Sequence, residues 1–246
     1  MIVAYEREKI LLFAHKGASN ITPENTLKAF KKAIELKADY IEFDVHQTED
    51  GEIVAMHDGN TLRTTGHFGI INRMTLSDLK ELDCGEGEKI PTLEEVIEVV
   101  KGKIRINCEI KARGFAEKII KILKESDMVD ATIISSFKHD VLLKIQKLDA
   151  QIKLASLEPT RTGWIKSWTS RKRMLNAAIK NNFYAINPFY KLVNFKLVNS
   201  AHKNNIKIFP WTVDSELMIK KLIEIGVDGI ITNDISKAQE VLNHIS

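Results

Sequence analysis

Cysteine is nearly absent from this 246-residue chain: Cys84 and Cys108 stand alone, with neither a CxxC pair nor histidines at metal-ligand spacing. That argues against a disulfide-stapled scaffold and against a thiolate zinc site, and it fits a reducing cytoplasm. Long hydrophobic runs are missing too, since no apolar stretch approaches the roughly 18 residues of a spanning helix. The opening MIVAYEREKILLFAHKG lacks the ordered basic, apolar and small-residue regions of a signal peptide. A cytoplasmic protein with no integral membrane segment is the expectation. Nor is there an excess of one charge: 36 basic against 33 acidic residues leave +3, with lysines spread throughout, so nothing demands nucleic acid. Low-complexity segments and linkers are lacking, and a chain of this length buries a sizeable core. One domain over residues 1–246 is expected.

What is present is organised around Tyr40 to Asp58, YIEFDVHQTEDGEIVAMHD. Successive strand side chains alternate between faces, so Glu42 and Asp44 share one face while Ile41, Phe43 and Val45 share the other. Two neighbouring carboxylates inside a protein repel and lose hydration, at a cost of several kcal/mol unless protons or a cation compensate. A hard divalent ion such as Mg2+ or Ca2+, with Mn2+ as a further choice, takes oxygen ligands and supplies that compensation.

The rest of the chain alternates strands and helices. Ile10 to Ala14 reads as a first strand ending on His15-Lys16-Gly17, and Thr22-Pro23-Glu24-Asn25 as the opening of a helix. Asp50-Gly51 signals a hairpin whose return is Ile53 to Met56. Further strands are expected at Ile104–Lys111, Thr132–Ser135, Ile152–Leu157, Tyr184–Asn187, Lys207–Val213 and Gly229–Thr232, with helices between them. With the hairpin return set aside, eight βα units specify an α/β fold of the TIM (β/α)8 barrel type.

Chemistry in such barrels sits at the C-terminal ends of the strands. His15, Glu42 with Asp44, Glu109 with Lys111, Ser135-Ser136, Asn187 and Trp211-Thr212 all fall there, with ionisable groups only in the first half. Glu42, Asp44 and Glu109 can offer oxygens to one cation. His15 and His57 suit a general acid and base facing each other across the rim, and Lys16 and Lys111 add positive charge. Carboxylates, lysines and a divalent ion together describe a site for phosphate.

HKGA, TPENT, IEFDV, MHD, RTT, IPTLEE, EIK, SSF, WTVD and DGIITN follow one another in this order, and the chain so marked resembles the glycerophosphodiester phosphodiesterase family. The resemblance covers nearly the whole chain and is weakest from Glu158 to Ala185. It implies a TIM barrel with a small insertion after the second strand, about residues 57–91, and hydrolysis of a glycerophosphodiester to sn-glycerol 3-phosphate and an alcohol. By the same resemblance Glu42, Asp44 and Glu109 hold Mg2+ or Ca2+, His15 and His57 are the acid/base pair, and Lys111 contacts the phosphate. Two positions depart from the family pattern: Lys16 stands where arginine is usual, and Asp214 where asparagine is common. Lysine offers a point charge in place of a bidentate fork, and losing one charge-assisted hydrogen bond costs on the order of 1.5–3 kcal/mol.

Other residues receive structural readings. Glu24 and Asn25 are assigned to helix opening, Asp58 to orienting His57, and Phe13 and Phe209 to packing, while Trp211 either covers the substrate or packs in the barrel. His46, His67, His139, His202 and His244 are read as surface residues. The segment Arg161 to Arg173 joins five basic residues to Trp164 and Trp168, and its main reading is a solvated loop. Its rival reading, an apolar groove, would mark a lysophospholipase D, and Lys16 alone would mark a catalytically weakened phosphate-binding barrel. A homodimer is the base-rate expectation.

Overall fold

The computed structural model describes residues 9–160 and 168–245. Its elements run β1 (Leu11–His15), α1 (Leu27–Glu35), β2 (Tyr40–Gln47), β3 (Ile53–Ala55), α2 (Leu62–Thr65), α3 (Leu76–Glu81), α4 (Leu93–Val100), β4 (Arg105–Ile110) and α5 (Ala116–Glu125). They continue β5 (Thr132–Ser136), α6 (His139–Leu148), β6 (Lys153–Glu158), α7 (Trp168–Lys180), β7 (Ala185–Pro188), α8 (Phe195–His202), β8 (Lys207–Ile208), α9 (Glu216–Glu224), β9 (Gly229–Thr232) and α10 (Ile235–Ile245). Parallel pairing follows the order β8-β7-β6-β5-β4-β2-β1-β9, with β3 antiparallel on β2. This is the expected eight-stranded parallel barrel with its hairpin.

The eighth strand differs from the expectation. Its regular ladder ends at Ile208, although the Phe209 and Trp211 N–H groups still donate to the Ile186 and Pro188 carbonyls of β7 at 3.0 Å each; Pro210 between them has no N–H to offer β9. Closure is completed by Asp228 N–H donating to the Ile208 carbonyl at 3.1 Å, Ile231 N–H to the Pro210 carbonyl at 2.9 Å, and Val213 N–H to the Ile231 carbonyl at 3.0 Å.

The register decides what stands at each level inside the barrel. Phe13 pairs with Tyr40, Glu42 with Asn107, Asp44 with Glu109 and Glu109 with Ser135. In an eight-stranded barrel of shear eight, equal height falls about one residue beyond each register partner. A layer of Phe13, Asn107, Ala155 and Phe209 therefore lies beneath one of Glu42, Ser135, Asn187 and Ile231, and His15 with Glu109 stands above that. The floor is aromatic: Phe13 stacks on Tyr40 with ring centroids 4.5 Å apart and packs on Phe209 at 4.7 Å, which bears out the packing assignment of both phenylalanines. Gly229 belongs to this tight floor, since a Cβ there would meet the Leu11 carbonyl at 2.6 Å.

Outside the strands, Ile41, Phe43 and Val45 are fully buried against the helices, and Phe43 meets Phe30 of α1 at 5.5 Å. Each such side chain stabilises the fold by roughly 1.5–3 kcal/mol. The outer face of β2 thus holds the strand in place while its inner face carries two buried carboxylates. Between β2 and α4 a separate small cluster forms from Val54, Met56, Ile71, Leu79, Cys84 and Ile90. Both cysteines are free and buried.

The first helix starts later than expected. Thr26, not Thr22, is the N-cap, its hydroxyl accepting from Ala29 N–H, so Pro23-Glu24-Asn25 lies in the preceding turn. Asn25 there adopts a left-handed backbone at φ 56°. Gly17, at φ 82°, lets the same loop approach α1 so closely that a Cβ would sit 2.6 Å from the Ala29 Cβ.

Candidate active site

Glu42 and Asp44 of β2 and Glu109 of β4 project inward from neighbouring strands, all three buried, with one oxygen of each within 4.8 Å of the others. Lys111 bridges two of them, its Nζ 2.9 Å from Glu109 and 3.2 Å from Asp44. One ammonium does not balance three carboxylates. Burial first, then the charge of Asp44, then that of Glu109 push the Glu42 carboxyl well above the usual carboxylate range. Burial and Asp44 lift Glu109 to about 7. Burial also works against Asp44, but Lys111, His57 and a hydrogen bond from Asn25 outweigh it and hold that carboxyl below its ordinary value. A buried, all-oxygen set short of positive charge suits a hard divalent cation.

Asn25 is part of this centre, which corrects its assignment to helix opening. Its Nδ2 donates to Asp44 Oδ2 at 3.1 Å and its Oδ1 accepts from the Asp44 backbone N–H at 3.3 Å. Asn25→Ala removes both bonds and puts a residue with no αL preference at φ 56°. The expected result, read by calorimetry, is metal binding weakened by about tenfold or more, together with a melting temperature lowered by several degrees.

The two histidines flank the carboxylates, and each, when protonated, would favour the ionised form of Asp44. His15 Nδ1 lies 2.7 Å from Asn233 Oδ1, and its Nε2 lies 4.0 Å from Glu42 Oε2. Burial lowers its pKa, opposed by the Asn233 hydrogen bond and assisted by Lys16. His57 Nδ1 lies 2.7 Å from Asp58 Oδ1, and Asp58 Oδ2 accepts from Arg63 Nε at 2.6 Å. The orienting role expected of Asp58 fits this contact. His46 is no surface residue: it is half-buried, and its Nε2 lies 3.2 Å from the His57 carbonyl.

Lys16 occupies a left-handed backbone position at φ 57°, and its N–H donates to Glu42 Oε2 at 3.1 Å. Its ammonium is drawn to Glu24 at 3.3 Å, which also accepts from Arg63 Nη2 at 2.5 Å. Glu24 therefore links the β1 loop to α2 and is not a helix opener. Trp211 Nε1 donates to the Asn187 carbonyl at 2.8 Å, and its ring packs edge-on to Phe137 and against Phe189. With its N–H satisfied, it offers the rim an apolar wall.

Ionisable groups at the rim are not confined to the first half, as the sequence suggested. Asp214 accepts from Asn233, and Glu158 ends β6 buried beside His139, whose Nε2 is 3.6 Å from its carboxylate. His139 is thus paired, as is His202, 2.9 Å from Asp228. Trp164 lies outside the described residues and Trp168 opens α7. No helix among the described residues is long and apolar enough to cross a membrane.

A parallel barrel whose C-terminal rim gathers carboxylates, lysines and two histidines carries the groups that binding and hydrolysis of a phosphate ester call for. Residues 15–237 match the model of the glycerophosphoryl diester phosphodiesterase family. A glycerophosphodiester phosphodiesterase of Caldanaerobacter subterraneus is 40% identical over 239 residues, spanning 92% of this chain and 95% of its own. The crystal structure of a glycerophosphodiester phosphodiesterase from Thermotoga maritima superposes with a TM-score of 0.81 at 30% identity, over 98% of this chain and all of that one. A phosphodiesterase of Oleispira antarctica, solved with the product sn-glycerol-3-phosphate, superposes with a TM-score of 0.83 at 25% identity, over 95% and 96% of the two chains. The chain belongs to the glycerophosphodiester phosphodiesterase family and is an enzyme with that activity. A barrel that only binds phosphorylated ligands is thereby set aside.

Proposed function

We propose that this enzyme hydrolyses glycerophosphodiesters to sn-glycerol 3-phosphate and an alcohol, with a divalent ion held by Glu42, Asp44 and Glu109 and with His15 and His57 as its acid/base pair. The observation that carries this reading is one buried carboxylate cluster flanked by two histidines, each with Nδ1 tied to an oxygen partner. In both rings Nε2 is then the nitrogen left for proton transfer. One histidine takes the proton of the attacking hydroxyl, and the other gives a proton to the leaving alcohol. Lys111 binds a phosphoryl oxygen, Lys16 adds charge beside it, and Trp211 supplies an apolar wall. Mg2+, Ca2+ or Mn2+ in the carboxylate set would polarise the phosphoryl group and take up developing charge.

The product found in the Oleispira relative supports glycerol 3-phosphate as the product here. Two free thiols favour the reducing cytoplasm. One barrel domain with an insertion over about residues 57–91, working as a homodimer, completes the reading.

The test is release of glycerol 3-phosphate from glycerophosphocholine by the purified protein, with EDTA and then with each ion restored. Turnover should vanish with EDTA and return with at least one ion, and silence with every ion would overturn the proposal. Metal affinity should also depend on pH. Glu109 keeps its proton up to about 7, so the ion must displace it at lower pH. Calorimetry should show binding weakening by about tenfold per pH unit for each displaced proton below that point. A dissociation constant unchanged between pH 5 and pH 8 would count against the carboxylate site.

A further inference from the structure

His15 and Asp214 are joined through one amide, and the chemistry of that amide has only one consistent orientation. Both oxygens of the Asp214 carboxylate are occupied by Asn233: the backbone N–H donates to Oδ1 at 2.9 Å and Nδ2 donates to Oδ2 at 2.7 Å. Thr232 Oγ1 adds a further bond to Oδ1 at 3.1 Å. An ionised carboxylate only accepts hydrogen bonds, so the NH2 of Asn233 must face Asp214 and its carbonyl oxygen must face His15. That oxygen also lies 3.1 Å from the Ser19 hydroxyl, whose other contact is the His15 carbonyl at 2.7 Å. A carbonyl oxygen cannot donate. His15 Nδ1, 2.7 Å away, must therefore carry the proton, and Nε2 of the neutral ring is left with its lone pair toward Glu42.

We propose that Asp214 and Asn233 form a positioning relay that sets the tautomer of His15, with the charge kept one amide removed from the ring. The contrast with His57 is direct, because there the carboxylate of Asp58 touches Nδ1 itself. The relay needs one carboxylate and one amide, and it does not matter which of the two positions carries which. In Asp214→Asn, the oxygen of residue 214 is held by the Asn233 backbone N–H, so its NH2 meets the NH2 of Asn233. Two donors cannot pair, so the Asn233 amide turns over and presents its NH2 to His15. Nδ1 must then accept, and the proton moves to Nε2. Adding Asn233→Asp repairs the chain: the new carboxylate accepts from residue 214 on one side and from His15 Nδ1–H on the other.

This inference rests on His15 taking part in the reaction, and nitrogen-15 NMR of the histidine rings in the metal-loaded protein separates the two claims. The wild-type ring should be protonated on Nδ1 and the Asp214→Asn ring on Nε2. The single variant should lose roughly a hundredfold to ten-thousandfold in kcat, the range that general acid or base catalysis supplies, with KM changed by less than about threefold. The double variant should recover at least tenfold of that loss and regain the Nδ1–H ring. A wild-type ring protonated on Nε2, an Asp214→Asn variant with unchanged tautomer and kcat, or a double variant as slow as the single one would overturn the relay. The wild-type spectrum decides even where a variant fails to fold. Full activity in His15→Ala with the Nδ1–H tautomer observed would overturn the catalytic reading and leave the relay standing.

Discussion

Glu109→Gln is expected to lower metal-restored turnover by about a thousandfold or more, roughly 4 kcal/mol, while making the metal-free protein more stable. Both effects have one origin. Glu109 is buried with its carboxyl lifted to about 7, first by lost hydration and then by the charge of Asp44, from an ordinary value of 4.5. The folded chain keeps this proton in a range where the unfolded chain releases it. The group's contribution to stability is therefore present below about pH 4.5 and is lost as the pH climbs through 7. At pH 8 the ionised carboxylate works against folding by a few kcal/mol, and the isosteric amide removes that burden. At about 2–4 °C per kcal/mol for a chain of this size, the melting temperature in EDTA should rise by several degrees. The difference from wild type should narrow as the pH is lowered to 5. Adding the divalent ion should stabilise wild type and leave the variant nearly unmoved. A variant that melts lower than wild type in EDTA at pH 8 would show that Lys111 and Glu109 act mainly as a stabilising pair, against the proposed reading.

Replacing either histidine by alanine should cost roughly a hundredfold to ten-thousandfold in kcat, the range of general acid or base catalysis. Their environments make the two variants separable. His15 is placed by a neutral amide and is partly buried, and that burial lowers its pKa. His57 is placed by a carboxylate that is itself held by Arg63. The histidine that protonates the leaving alcohol becomes dispensable when the leaving group needs no proton. A p-nitrophenyl diester of glycerol 3-phosphate should therefore restore most of the activity of one alanine variant and leave the other slow. Equal rescue of both, or of neither, would mean that the two histidines do not divide the proton transfers. The double variant should be little slower than the worse single one, because residues acting in one proton sequence are not additive.

The carboxylate centre was legible because strands repeat every two residues. Glu42 and Asp44, then Asn107, Glu109 and Lys111, were bound to share faces once each run was read as a strand, and the apolar alternates Ile41, Phe43 and Val45 marked the other side. Strand ends likewise named His15 and Trp211. Asn25 is not legible in the same way, because Pro23 and Glu24 resemble a helix opening, whereas the cap falls on Thr26 and the left-handed backbone turns the amide toward Asp44. A local pattern carries no sign of such a turn.

By itself, then, the sequence determined the eight βα units, the inward face of each early strand, the hairpin at Asp50-Gly51 and the carboxylates on offer. All of these depend on periodicity within a few residues. Only the tertiary structure decided that Asn233 meets His15 across 218 positions, that Arg63 reaches Glu24 across 39, and that Glu158 is matched by His139. Those partnerships exist because barrel closure brings the ends of distant strands and loops to one rim. A hydrogen bond between residues so far apart leaves no periodic trace in either segment.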